Sequence, residues 1–213
     1  MKTLHSMLVI ALVIVWTGLA SADETGFVSI FDGESFAGWE GNRDIFRIED
    51  KSIVAGSLKK NIPHNEFLCT TKQYSDFELR LQAKLIGEGK NAGVQFRSQR
   101  IPNHFEVSGY QCDMGQQPTQ NIWGALYDES RRRKFLSVGE QDKLKDLFKP
   151  NDWNALVIRC EGRHIQIWVN SYQTVDYIEK EDVAATGIIG LQIHGGKPAE
   201  AWYKNIRIKE LTR

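Results

Sequence analysis

The sequence predicts an all-β protein, a two-sheet antiparallel β-sandwich or jelly roll in which several strands share a polar face. Apolar and polar residues alternate along many short stretches, and this period of two is typical of half-buried strands. In residues 76–85 every second residue from Phe77 onward is apolar, and those between are Glu, Arg, Gln and Lys. About a dozen such stretches are separated by turn residues, which is the pattern of sandwiches and jelly rolls. Only residues 139–148 fit a helical turn.

Each predicted strand is an alternating or β-branched run that ends at Gly, Asp, Asn or Ser. The pair around Glu161 and Gly162 predicts a tight hairpin. The stretch 105–114 changes its apolar phase midway, so we predict a bulge at Gly109 that places Glu106 on the face of Gln111. In order, the predicted strands are residues 27–31, 46–49, 52–57, 66–70, 76–85, 93–97, 105–114, 122–128, 153–160, 163–169, 172–177, 187–194 and 202–211.

The first residues have the pattern of a secretory signal peptide. Lys2 precedes a short apolar run, and Ala20-Ser21-Ala22 fits the small-residue cleavage pattern. We therefore expect residues 1–22 to be cleaved and residues 23–213 to form a single domain. The protein would be exported, to the periplasm or beyond, with no membrane segment after cleavage.

Charge and cysteine content exclude several classes of function. The chain has 27 basic and 27 acidic residues, so there is no electrostatic case for nucleic acid or an anionic membrane. The three cysteines, Cys69, Cys112 and Cys160, lack the spacing of a zinc site. One disulfide could form, but buried free thiols are the interpretation we favour.

Polar side chains alternate with core residues in three of the predicted strands. Gln95 and Arg97 lie opposite Val94 and Phe96; Gln111 and Asp113 alternate with the apolar residues of 110–114; Gln192 and His194 alternate with Ile189, Leu191 and Ile193. These polar groups predict a shared surface that carries the function. Arg97 and Asp113 could equally form a structural ion pair, and His194 could be a hydrogen-bonded structural residue.

Ordered motifs along residues 27–211 resemble those of one known domain family. The opening Phe31-Asp32-Gly33 with Gly38-Trp39 is similar to the start "LFDG…L.GW" of that family, and residues 91–97 to its "NSGv.fR" strand. Its later motifs resemble residues 109–113, 124–127, 153–154, 167–170, 190–195 and 203–211. The family is the 3-keto-disaccharide hydrolase domain family. Two positions depart from the family pattern: Ser171 replaces a usual glycine, and Lys204 replaces a common arginine.

The resemblance implies a concanavalin-like jelly roll with a concave carbohydrate site, in an exported protein that acts on oxidised sugars. A 3-keto group acidifies the proton on carbon 2, so one base can form an enolate that expels the glycosidic oxygen before water adds. On this hypothesis His194 is the base, Asp113 orients or replaces it, and Arg97 or a divalent cation stabilises the enolate. The predicted substrate-binding residues are Gln95, Gln111, Gln192, Trp123, Tyr127, Glu106 and Lys204.

Two alternatives use the same face. A non-catalytic carbohydrate-binding module would bind the sugar without cleaving it. An ordinary glycosidase needs two carboxyl groups about 5–10 Å apart, whereas Glu106 and Asp113 are seven residues apart on one strand, roughly 23 Å. A second acid would have to come from another strand or loop, such as Asp128 or Glu129. No cofactor is required by the sequence, although Asp113 and His194 are suitable ligands for a divalent cation.

Overall fold

The computed structural model describes residues 24–212. The predicted signal peptide and its cleavage site lie outside the described residues. Within them the structure is nearly all β, with one short helix, α1 (Gln141–Leu147). The strands are β1 (Val28–Ser29), β2 (Trp39–Glu40), β3 (Phe46–Glu49), β4 (Ser52–Ser57), β5 (Glu66–Thr70), β6 (Phe77–Gly87), β7 (Asn91–Arg100), β8 (Val107–Gly115), β9 (Leu126–Glu129), β10 (Phe135–Ser137), β11 (Asn154–Glu161), β12 (His164–Val169), β13 (Tyr172–Ile178), β14 (Ile188–Ile193) and β15 (Ala199–Glu210).

The strands form two antiparallel sheets, as predicted. Sheet A has the order β13-β12-β11-β6-β15-β4-β3, with β1 added on β15, and sheet B has the order β10-β9-β8-β7-β14-β5-β2. Chain neighbours such as β7 and β8 pair as hairpins, whereas β14 comes from late in the chain and inserts between β7 and β5. The polar strand segments of the sequence therefore become neighbours in sheet B.

One hydrophobic core lies between the sheets. Sheet B contributes apolar residues such as Val94, Cys112 and Leu191, and sheet A contributes residues such as Leu79 and Ile158, all fully buried. Because side chains alternate along a strand, the residues between those of sheet B point away from the core. The outward face of sheet B therefore carries the polar residues that the alternation identified.

The predicted bulge exists, but it lies on the strand opposite Gly109. Arg97 and Ser98 of β7 together face Gly109 of β8, and the register shifts between Phe96 and Gln99. Arg97 has a φ of 46°, as expected for an inserted residue that breaks the alternation. A Cβ on Gly109 would lie 2.4 Å from Oγ of Ser98, so only glycine fits opposite the bulge.

All three cysteines are free and buried in the structure, which confirms the interpretation as buried thiols. Burial raises the pKa of the Cys69 and Cys160 thiols to about 12. Among residues 24–212, no helix has the length and hydrophobicity that a membrane span requires.

Candidate functional site

Four of the predicted site residues form one polar floor on the outward face of sheet B. Gly93 of β7 pairs with Gln192 of β14 on one side and with Asp113 of β8 on the other. In the next row Gln95 pairs with Gln111. The side chains of Gln95, Gln111, Asp113 and Gln192 are all buried, with at most 4% of each residue exposed.

A chain of hydrogen bonds runs along this floor and ends at a carboxyl group. Ser98 donates from its hydroxyl to Oε1 of Gln95 (2.9 Å), and Gln95 donates from Nε2 to Oε1 of Gln111. Gln111 then donates from Nε2 to Oδ1 of Asp113 (2.6 Å). Each amide oxygen accepts from the preceding group, so both amides are held in one orientation.

Asp113 has the most perturbed carboxyl group of this face. Its pKa is raised to about 8: burial is the main cause and the charge of Glu129 adds to it, whereas hydrogen bonds from Gln111 and from the backbone of Met114 favour the charged form. Desolvation disfavours the carboxylate more than the two donors stabilise it. A carboxyl group with a pKa near the operating pH can both take and return a proton, as a general acid–base requires.

The outward face of sheet B is concave. The evidence is that one carboxylate contacts both sides of this face. Glu106 accepts from Nδ2 of Asn65 at Oε1 (3.0 Å) and from Oγ of Ser130 at Oε2 (3.2 Å). Asn65 immediately precedes β5 and Ser130 follows β9, which are four strands apart in the sheet. A flat sheet would hold β5 and β9 roughly 19 Å apart, so one Glu106 carboxylate contacts both sides only because the sheet and its flanking loops converge around a cleft.

Residues 100–107, which we call the arm, form the end of the β7–β8 hairpin and fold over this cleft. Arg100 reaches from β7 to Glu40 of β2, with Nε 2.7 Å from Oε1. Phe105 stacks on His64, with ring centroids 4.2 Å apart. Val107 packs in a small apolar cluster with Phe67, Cys69 and Ile188, separate from the main core. The arm therefore covers the β14–β5 side of the polar floor.

The far wall and one end of the cleft carry further polar groups. Gln111 pairs with Tyr127, and Gly109 pairs with Glu129, so both β9 side chains share the face of Asp113. Burial and the charge of Glu106 raise the pKa of Glu129, and His194 lowers it. Tyr127 and Glu129 are half-buried, whereas His194 is exposed just beyond the end of β14.

His194 and Asp113 lie at different places in the cleft. His194 is two residues beyond Gln192, so its Cα is roughly 12 Å from that of Asp113, by strand spacing and rise. Nδ1 of His194 lies 2.6 Å from the carbonyl oxygen of Gly195. A carbonyl oxygen only accepts hydrogen bonds, so Nδ1 carries a proton. Nε2 is therefore the nitrogen that can exchange a proton with a ligand. The expectation that Asp113 orients His194 is not met, because the imidazole is oriented by its neighbour's carbonyl.

The structure does not bring Arg97 into the cleft, because the bulge turns its side chain inward. The guanidinium donates to the carbonyl oxygens of Ser75 (2.8 Å) and Gly162 (2.7 Å) and pairs with Asp76 (2.8 Å). The predicted pairing with Asp113 is therefore corrected: the partner is Asp76. With 3% of the residue exposed, Arg97 is placed as a structural residue and not as an enolate stabiliser.

Two predicted substrate-binding residues also lie elsewhere. Trp123 is 2% exposed and packs in the main core against Phe148, because it precedes β9 in a turn that folds inward. Lys204 belongs to sheet A, where its Nζ lies 3.8 Å from the ring centroid of Trp153. Glu106 does reach the cleft, but through the folded arm and not through a bulge at Gly109.

Sequence reasoning missed Ser98, Asn65 and the place of Glu129. The sequence did contain the evidence for Glu129, because it lies two residues after Tyr127 and therefore on the same face of the strand. Asn65 and Ser98 act through contacts between strands that are distant in sequence. Among the described residues, no three His, Cys, Asp or Glu side chains are grouped to hold a metal ion.

Comparison with known proteins agrees with this architecture. A 3-keto-disaccharide hydrolase of Bacteroides thetaiotaomicron is 24% identical, over 89% of this chain and 80% of that protein. Among solved structures, a protein described as a candidate glycosyl hydrolase of Parabacteroides distasonis is similar in fold, with a TM-score of 0.66 and 18% identity over 88% of this chain and 94% of that one. The carbohydrate-binding module CBM66 of Bacillus subtilis has a TM-score of 0.59 and 14% identity, over 81% and 96% of the two chains.

A family model covers most of the chain. Residues 26–209 match the family described as the 3-keto-alpha-glucoside-1,2-lyase-like domain. That range contains nearly all of the described residues, including both sheets and the whole cleft. This chain therefore belongs to the 3-keto-alpha-glucoside-1,2-lyase-like domain family.

Proposed function

We propose that this chain cleaves 3-keto-glycosides by elimination followed by hydration, in the cleft whose floor holds Asp113. The observation that carries the proposal is the state of Asp113, a buried carboxyl group whose pKa is raised to about 8. A carboxylate of that basicity is a stronger base than an ordinary aspartate and is suited to removing a proton from carbon next to a ketone.

The reaction would proceed in two stages. Asp113 takes the proton from carbon 2, and the electrons of that C–H bond form an enolate with the oxygen at carbon 3. The enolate then re-forms the ketone as the bond between carbon 1 and the glycosidic oxygen breaks, and that oxygen leaves with a proton. Water adds to carbon 1 of the resulting enone, and Asp113 returns its proton to carbon 2. One water is consumed and the catalyst is regenerated.

The other cleft residues have supporting roles in this proposal. His194, at the exposed end of the cleft, would exchange a proton with the leaving oxygen through Nε2. Glu106 and Tyr127, on the arm and on the far wall, would bind hydroxyl groups. Gln111 and Gln95 would position the Asp113 carboxylate, because their own amides are already engaged in the floor chain.

A second candidate is a conventional acid–base glycosidase. It is favoured by one observation: Glu129 shares the cleft with Asp113, and the charge of Glu129 raises the pKa of Asp113. In that mechanism protonated Asp113 would protonate the leaving group and Glu129 would act on carbon 1 or on water. The reaction would not touch the hydrogen on carbon 2.

Labelling at carbon 2 separates these candidates. We would incubate the protein with a 3-keto-disaccharide deuterated at carbon 2 and with its unoxidised parent, and follow products by mass spectrometry. The proposal expects cleavage of the keto sugar only, at a lower rate than that of the undeuterated keto sugar, because the bond between carbon 2 and deuterium breaks. Asp113→Asn should lower the rate at least about 100-fold, and Asp176→Asn, an exposed carboxyl on sheet A, should leave it unchanged.

Other outcomes would contradict the proposal. Cleavage of the unoxidised sugar, with no slowing by deuterium at carbon 2, would favour the acid–base glycosidase. Binding of unoxidised glycan without any product would favour a carbohydrate-binding module.

A further inference from the structure

One amide on the cleft floor differs from the other two. Gln95 and Gln111 are both joined into the floor chain. Gln192 is equally buried, with 0% of the residue exposed, yet neither Nε2 nor Oε1 has a hydrogen-bond partner among residues 24–212. Buried polar groups are almost always paired, and leaving one unpaired destabilises the folded state.

The surroundings of Gln192 place this amide in the reaction cleft. It pairs in register with Gly93, which in turn pairs with Asp113. Two strand spacings, about 10 Å, therefore separate the Cα atoms of Gln192 and Asp113. Gln111 lies over the intervening glycine, since a Cβ on Gly93 would be 2.6 Å from Cδ of Gln111. A sugar ring resting on Gln111 would meet Asp113 at one edge and Gln192 at the other.

The chemistry of an amide fits one class of ligand. Gln192 offers N–H donors and a carbonyl acceptor side by side. A ketone oxygen only accepts, and a hydroxyl on the adjacent carbon can donate. An α-hydroxy ketone, such as the oxidised ring of a 3-keto sugar, satisfies both halves of the amide at once.

We propose that Gln192 recognises the ketone oxygen of the substrate and stabilises the enolate that forms there. This inference rests on the proposed function, and it fills the role that the sequence predicted for Arg97. As the proton leaves carbon 2, negative charge accumulates on the ketone oxygen, so a donor fixed beside it stabilises the transition state more than the substrate.

The arm controls access to this amide. Gln192 is fully buried, and Val107 of the arm lies in one apolar cluster with Phe67, which pairs with Gln192, so a ligand would reach the amide once the arm is displaced. The arm is held by the exposed Arg100–Glu40 ion pair, the stack of Phe105 on His64, two hydrogen bonds to Glu106 and the small cluster around Val107. No residue of the arm belongs to the main core. Exposed ion pairs contribute little to stability, so opening the arm costs less than opening the core.

The inference makes a prediction about stability that a structural role would not. Gln192→Met keeps the side-chain length and removes the unpaired amide, so the melting temperature of the ligand-free protein should rise by at least about 2 °C. Gln95→Met is the matched control: it removes an amide that is paired, so its melting temperature should fall.

Binding and turnover complete the test. Gln192→Met should lower kcat/KM for the 3-keto-disaccharide about 100-fold. Gln192→Glu, which presents only acceptors when ionised, should weaken binding of 3-ketoglucose at least about tenfold, measured by calorimetry in an Asp113→Asn background. Binding of glucose should change much less.

Each of these measurements can overturn the inference. A fall in the melting temperature of Gln192→Met would show that the amide has a structural partner. Unchanged 3-ketoglucose affinity in Gln192→Glu would show that Gln192 does not read the ketone. If wild-type protein binds 3-ketoglucose through Gln192 but cleaves no 3-keto-disaccharide, the proposed reaction fails while the recognition role stands.

Discussion

Gln111 donates a hydrogen bond of 2.6 Å to Oδ1 of Asp113 while its side chain lies flat over Gly93. This arrangement requires glycine at position 93, because the Cβ of any other residue would clash with the side chain of Gln111. The donor favours the charged form of Asp113 and burial favours the neutral form, and burial has the larger effect. The balance between these two effects therefore sets the fraction of Asp113 that is ionised near neutral pH.

The pH dependence of activity should report this pair. If Asp113 acts as the base, kcat/KM rises with pH and levels off above about 8, where the carboxylate predominates. Gln111→Leu removes a donor to the charged form, so the midpoint should move upward by about 1–2 pH units. Rates measured from pH 5 to 10 for both proteins test this. Activity that falls as pH rises through 8 would instead make Asp113 a general acid.

Stability should depend on pH through the same carboxyl group. The pKa of Asp113 in the folded state, about 8, lies above the ordinary value of 3.8 for an aspartate. The folded state therefore binds more protons between these values, and stability falls as pH rises from about 4 to 8. Asp113→Asn removes this loss, which is at most on the order of 5 kcal/mol.

Urea denaturation at pH 5 and at pH 8.5 measures the effect. The advantage of Asp113→Asn over wild type should be larger at pH 8.5 than at pH 5. Asp146→Asn serves as the control, since Asp146 is exposed on α1. An advantage of equal size at both pH values would contradict the raised pKa.

Strand periodicity was sufficient to predict the floor of the cleft. Gln111, Asp113 and Gln192 alternate with core residues, so their common face follows from the pleat alone. The order of the strands in sheet B is not visible in that pattern, because β14 pairs with β7 across a long stretch of sequence. The resemblance to a known family, and not the alternation, supplied the expectation of a concave sugar site.

The errors arose where the regular pattern is interrupted. The phase change near Gly109 was detected, but alternation cannot say which of two paired strands holds the extra residue. It lies in β7, so Arg97 points inward and Ser98 takes its place on the polar face. Trp123 was assigned to the site by its strand parity, yet it precedes β9 in a turn and packs in the core.

Arg97 should matter for folding and not for chemistry. Arg97→Met removes the guanidinium from the buried carboxylate of Asp76 and from two carbonyl oxygens. Breaking a buried ion pair of this kind costs about 3–5 kcal/mol. We expect a large loss in the free energy of unfolding, measured in urea, with kcat unchanged per folded molecule at a temperature where the variant is folded. A loss of kcat in fully folded protein would return Arg97 to the reaction.

The thiols should be inert until the protein unfolds. Cys69 and Cys160 have pKa values raised to about 12 by burial, and the thiolate is the reactive form. Native protein at pH 8 should therefore not react with a thiol reagent such as Ellman's, whereas protein in denaturant should release three equivalents, one for each cysteine. Reaction of one equivalent in native protein would reveal a cysteine that becomes exposed by local opening.

The arm should open more readily when its aromatic contact is removed. Phe105 is 45% exposed, and its ring stacks on both His64 and His104, with centroids 4.2 and 4.4 Å away. Phe105→Ala removes this contact but leaves the main core intact, so amide exchange in residues 100–107 should accelerate at least about tenfold, while the melting temperature changes by less than about 2 °C. Ile178→Ala, an exposed apolar residue of sheet A, is the control and should leave exchange in the arm unchanged. Hydrogen exchange followed by mass spectrometry measures both variants. If amide exchange in residues 100–107 stays at the wild-type rate in Phe105→Ala, the stack does not hold the arm over Gln192.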